Sequence, residues 1–152
     1  MATRRTSLPS AEVLEVWHDW LRAHRLLVQQ LDRELRERAG VTLDDYDVLV
    51  QLAQAPARRL RMSALAGALL LARSSCTRIV GRLEDRGWVK RTTDEDDGRV
   101  VWAELTAKGR GVQRRAALVH LRGVQAHFGR HLGGREAESI GAFSLRVISE
   151  AP

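Results

Sequence analysis

Residues 73–86 read Arg-Ser-Ser-Cys-Thr-Arg-Ile-Val-Gly-Arg-Leu-Glu-Asp-Arg, and their types sort by helical spacing. At about 100° per residue, Cys76, Ile79, Val80 and Leu83 share one arc, the stripe that a helix buries. Ser74, Arg78 and Gly81 lie opposite. A hydroxyl, a guanidinium and a glycine make a narrow polar face, whereas an ordinary solvated helix carries Glu and Lys for helicity. Such a face can enter a major groove about 12 Å wide and offer Arg78 to a guanine edge. Arg73, Ser75, Thr77 and Arg82 flank it, placed for phosphate oxygens.

A second arginine stands apart. Arg99 follows the turn Asp94-Glu-Asp-Asp-Gly98, at or near the tip of a hairpin. There a guanidinium can enter a minor groove, where narrow A·T tracts concentrate negative potential. Asp97 is placed to orient it by a charge-assisted bond. The run Asp94, Glu95, Asp96 and Asp97 opposes phosphate contact. The expectation is therefore a loop that projects past the backbone, with only Arg99 in the groove.

Charge follows the same geography. The 152-residue chain carries a net charge of +6. Nine basic residues fall within Arg58–Arg91 against only Glu84 and Asp85. That concentration fits a polyanionic partner, although a solvated basic face has the same charge.

The elements that must hold these groups are mostly helical. Residues 10–38 repeat apolar side chains at three- and four-residue steps, with Ser10 as cap and Gly40 as stop. This helix is long, and its stripe needs more partner surface than one small domain offers. Thr42 caps Leu43–Gln54, and a short basic link covers Arg58–Arg61. Ser63 caps Ala64–Leu70, and Gly87 closes the Arg73–Arg86 helix. Trp88–Thr93 and Arg99–Leu105 read as a β-hairpin. Thr106 caps a helix running through Leu132, Gly133-Gly134 breaks it, and Arg135–Ser149 puts Ile140, Phe143 and Val147 on one face. The fold class is mainly α with a small β-hairpin wing: a winged helix-turn-helix with terminal helices forming a dimerisation platform. The expected division of the single domain, 1–152, gives helices 10–38 and 107–150 to the dimer and 42–105 to the DNA-binding lobe.

Composition excludes several classes. Hydrophobic residues are 44% and charged residues 29%, which is globular rather than disordered. No run approaches the roughly 20 apolar residues of a membrane span, and the first ten residues lack the apolar stretch of a secretory signal. The single cysteine, Cys76, cannot form an internal disulfide, so the expected location is the cytoplasm. No P-loop, dinucleotide fingerprint, nucleophile elbow or catalytic carboxylate pair is present, so no enzyme and no cofactor are expected.

Leu65-Ala66, the string from Arg73 to Val89, Asp97-Gly-Arg99 and Leu105-Thr-Ala-Lys-Gly109 resemble the MarR family of bacterial regulators over nearly the whole chain. The resemblance implies a homodimer joined by its terminal helices, with recognition helices in successive major grooves of a pseudo-palindromic operator. It puts Ser74, Thr77 and Arg78 near bases or phosphates and Arg99 in the minor groove. It implies a repressor released by a small aromatic or phenolic effector. Ala72 stands where the family often has a capping Ser or Asp, so capping is expected to shift to Ser74 or Ser75. Gly98 replaces a common second arginine.

An effector site between platform and lobe would draw on Trp17, Trp20 and His24 of the first helix and Tyr46 and Leu49 of the second, unless these are core or dimer packing. Cys76 offers a redox-responsive alternative, but its place on the buried stripe fits a small hydrophobe better. His120, His127 and His131 share a helical face, and the i,i+4 pair His127/His131 could hold zinc. No cysteine joins them, so no metal site is assigned. The remaining rival is a non-specific architectural DNA-binding protein.

Overall fold

A computed structural model of the chain describes residues 8–150. Most of the segment read for a leader, residues 1–7, therefore lies outside the described residues. Helix α1 (Ala11–Ala39) starts at Ser10, whose hydroxyl accepts from the Val13 amide, and ends at Gly40 in the left-handed conformation. Helix α2 (Leu43–Gln54) begins with a reciprocal capping box: Thr42 accepts from the Asp45 amide, and Asp45 accepts from the Thr42 amide. These caps satisfy amides that a first turn otherwise leaves unbonded.

After α2 come strand β1 (Arg59–Arg61), helix α3 (Met62–Ala68) and helix α4 (Arg73–Asp85). Strands β2 (Val89–Thr93) and β3 (Val101–Leu105) form the wing, and α5 (Ala107–His127) and α6 (Gly134–Ser149) complete the chain. The sheet is antiparallel in the order β1-β3-β2. The fold is thus a winged helix-turn-helix between long terminal helices.

Four local expectations need correction. Within the basic link, Arg59–Arg61 form a strand by pairing with β3, with Leu60 turned inward while Arg59 and Arg61 stay exposed. Helix α3 starts at Met62 with no side-chain cap, so Ser63 lies inside it. Helix α4 starts after Ala72, also without a side-chain cap, and neither Ser74 nor Ser75 takes that role. Helix α5 ends at His127, and Gly129–His131 form a separate 3-10 turn.

One core organises the lobe. Leu35 and Val41 meet Val48, Leu49 and Leu52 of α2, Leu65 of α3, and Cys76, Ile79, Val80 and Leu83 of α4, all essentially without solvent exposure. Helix α5 joins through Val112 and Ala116. Gly87, at φ +71°, turns the chain from α4 into β2. Gly109 is required by proximity: a Cβ there would collide with the Trp88 carbonyl oxygen and crowd the Leu105 side chain. The terminal helices leave Val13, Trp17, Trp20, Ile140, Phe143 and Val147 about half exposed.

Candidate nucleic-acid interface

Burial fixes how α4 is rolled. With Cys76, Ile79, Val80 and Leu83 in the core, Arg73, Ser74, Thr77 and Arg78 are exposed, while Ser75 and Gly81 are only partly so. A Cβ added at Gly81 would meet nothing. The outward face is therefore narrow and unobstructed, and it carries two guanidinium groups. The Thr77 hydroxyl donates to the Arg73 carbonyl at 2.9 Å, leaving its lone pairs for an incoming donor.

Arg82 is different from its expected role. Its Nε and Nη2 both donate to Asp45 Oδ1, at 3.1 and 2.5 Å. Asp45 is 1% exposed, so this guanidinium neutralises a buried carboxylate and does not stand ready for phosphate. Other members of the basic segment are also committed. Arg91 binds Glu84 Oε2 through Nε and Nη2, at 2.8 and 2.5 Å. That side-chain contact, with a bond from the Arg91 amide, holds the Glu84 carboxyl below the usual range. Lys90 pairs with Glu104 at 3.1 Å. Arg86 lies over the Trp88 ring at 4.8 Å and donates to the Gly40 carbonyl. Among the described residues, Arg73, Arg78 and Arg99 make no ion pair.

The wing loop, residues 94–100, is built by its own carboxylates. Asp94 Oδ1 accepts from the amides of Asp96 and Asp97, at 3.1 and 3.3 Å. Asp94 Oδ2 accepts from Trp102 Nε1 at 2.8 Å, and this bond first, then the amides, lowers the Asp94 pKa. Asp97 supports the Arg99 backbone rather than its guanidinium: Asp97 Oδ1 accepts from the Arg99 amide at 3.0 Å. The acidic run thus shapes the loop, and Arg99 lies in it, exposed, two residues before β3.

Between α4 and the wing lies an open cleft of about 400 Å³, lined by Arg61, Ser63, Arg73, Thr77, Arg91 and Arg99 among others. Four arginines from four separate elements converge there. Such a concave basic surface suits a phosphate backbone passing between a groove-bound helix and a wing. Arg61, Ser63 and Arg91 were not among the expected site residues. The signal for Arg61 was the Arg59-Leu60-Arg61 alternation, too short to separate from a link.

The expected effector residues fall into two sets. Trp17, Trp20 and His24 form an exposed ladder on α1, with centroids 5.8 and 5.7 Å apart. Tyr46 and Leu49 are buried in the lobe. The chain by itself therefore does not bring the five together, because the α1 ladder faces outward while Tyr46 and Leu49 face the core. Tyr46 instead meets His120 of α5, centroid to centroid at 4.6 Å. His120 Nδ1 is buried without a hydrogen-bond partner, and burial pushes its pKa down. The proposed histidine face does not form: His127 Nε2 contacts Glu34 Oε1 at 2.6 Å, and His131 belongs to the following turn. No group of three metal-ligating side chains occurs among the described residues. Burial raises the Cys76 pKa, which disfavours a reactive thiolate. No helix among the described residues is long and apolar enough to cross a membrane.

Residues 39–100 match the MarR family. The fold is similar to the crystal structure of Sco3205, a MarR family transcriptional regulator from Streptomyces coelicolor, in complex with DNA. The two share 36% identity over 97% of this chain and 92% of that one, with a TM-score of 0.91. AbsC, a MarR family transcriptional regulator from the same organism, is 31% identical over 95% of this chain and 97% of its own, with a TM-score of 0.87. The transcriptional repressor MprA of Escherichia coli (strain K12) is 28% identical over 108 residues. That match covers 71% of this chain but only 60% of the repressor's length.

Proposed function

The chain belongs to the MarR family of transcriptional regulators, and from that membership we propose that it binds a specific double-stranded operator as a homodimer. The observation that carries this reading is the unpaired, outward Arg78 on the open face of α4, beside the arginine-lined cleft. Ser74, Thr77 and Arg78 read the major groove, Arg73 meets phosphate, and Arg99 enters the minor groove. Residues 42–105 form the DNA-binding lobe. Residues 10–38 and 107–150 pair with a second copy, which covers apolar side chains such as Trp17, Phe143 and Val147 that water now meets.

Repression, rather than activation, is supported by the likeness to a transcriptional repressor. A small aromatic effector would release the DNA. The buried His120 Nδ1 over Tyr46 supports a site between α2 and α5, since a polar atom in such a place lacks the partner that burial normally demands. The reading is of a regulator working by occupancy and not of an enzyme.

Selection of duplexes from random DNA by the purified protein, followed by footprinting, tests the proposal. The expected result is a pseudo-palindrome with half-sites about one helical turn, 10–10.5 base pairs, apart. Specific binding should survive raised salt and competitor DNA. Loss under both, with no enriched sequence, would favour an architectural binder instead.

A further inference from the structure

We propose that Trp102 is a positioning residue for the wing, one indole fixing the loop that carries Arg99 and bracing Arg61 at the mouth of the cleft. The proposal rests on the reading of Arg99 as the minor-groove arginine.

Trp102 sits within β3, facing Arg61 of β1 on one side and Thr92 of β2 on the other. Its half-buried ring has two functions. The faces attract cations: the guanidinium carbons of Arg59 and Arg61 lie 4.4 and 5.3 Å from the ring centroid. Such contacts restrain long side chains without consuming their charge, so Arg61 keeps its full charge where it lines the cleft.

The edge does the second job. Nε1 donates to Asp94 Oδ2, and indole nitrogen has no other hydrogen-bonding capacity. The other Asp94 oxygen gathers the amides of Asp96 and Asp97, and Asp97 in turn holds the Arg99 amide. Backbone bonds from Val100 to Asp97 and from Asp94 to Val100, each 2.9 Å, close the loop. An unbroken series of hydrogen bonds thus runs from the indole to the Arg99 backbone. Without the first link, the Asp94 carboxyl would lose its bond to the sheet, and the loop would be held only by bonds among residues 94–100. The energetic consequence is preorganisation: a loop already shaped loses less freedom when its arginine enters a groove.

The test uses an operator selected by the wild-type protein, measured against a random duplex. Trp102→Phe keeps an aromatic face for the cations, though a smaller one, and removes the N–H. It should weaken operator binding roughly two- to tenfold, the worth of one hydrogen bond, and leave random DNA almost unaffected. In an Arg99→Ala background the same substitution should cost nothing further, because the loop then carries no groove contact to position. Should Trp102→Phe fold poorly, Asp94→Ala breaks the same link from its other end together with the bonds from the Asp96 and Asp97 amides, and it should weaken operator binding at least as much, again only while Arg99 is present. Unchanged operator affinity in these variants would overturn the proposal. So would an equal loss with and without Arg99, which marks a general structural effect. If the wild-type protein selects no operator, the functional reading itself fails, and that outcome is separate from either of these.

Discussion

Arg82 of α4 and Asp45 of the α2 cap form an ion pair across 37 residues of sequence, the carboxylate buried and the guanidinium half-buried, both of its bonds ending on one carboxylate oxygen. The second Asp45 oxygen takes the Thr42 amide at 3.1 Å. One side chain therefore starts α2 and sets the roll of α4 against it. Arg78, four residues before Arg82, owes its outward direction partly to that pair.

Removal of Arg82 should therefore act on folding. Arg82→Ala leaves a carboxylate that is 1% exposed without its counter-charge, a change that typically costs about 3–5 kcal/mol. Urea unfolding measures it. The salt dependence of DNA binding should stay unchanged, since no phosphate contact is lost. A shallower salt slope with unaltered stability would return Arg82 to the DNA interface.

Arg78→Ala should behave in the opposite way. Its side chain is exposed and unpaired, so folding stability should move by less than about 0.5 kcal/mol. Loss of a bidentate guanine contact should cost about 1–3 kcal/mol on the operator and little on random DNA. Paired titrations on the two duplexes decide this. Equal losses on both would make Arg78 a phosphate contact.

Gly109→Ala should destabilise the junction between wing and α5. The new Cβ would strike the Trp88 carbonyl oxygen, which also accepts from the Thr106 amide and hydroxyl. Backbone shifts of this kind cost about 1–3 kcal/mol. A lowered midpoint in thermal unfolding is expected, and an unchanged midpoint would mean that the strand moves aside freely.

His120 should make stability fall on acidification. Its folded pKa is depressed by burial, so the unfolded chain takes up the proton first. Stability is therefore retained above about pH 6.5, the ordinary histidine value. It declines as pH falls below that value toward the depressed one. Unfolding between pH 8 and 5 should show this decline in the wild type and a weaker one in His120→Gln. Identical profiles would show that His120 does not contribute.

The legible features share a property. The buried stripe of α4, the caps at Ser10, Thr42 and Thr106, and the stops at Gly40 and Gly87 depend on residues within one or two turns of each other. Periodicity and capping chemistry express such local physics directly. Strand β1 was illegible because three residues carry no reliable period. It exists through pairing with β3, in which Arg61 meets Trp102. The wing's acidic run was legible as a loop, but its purpose was not.

What the sequence determined by itself was therefore the succession of elements and the sides they bury, since each follows from neighbours along the chain. Only the tertiary structure decided which cations remain free. Arg78 and Arg82 look alike at helical spacing. Yet a carboxylate 37 positions earlier takes up one and leaves the other. Coulombic and hydrogen-bonding partners are chosen by distance in space, and distance along the chain does not contain that information.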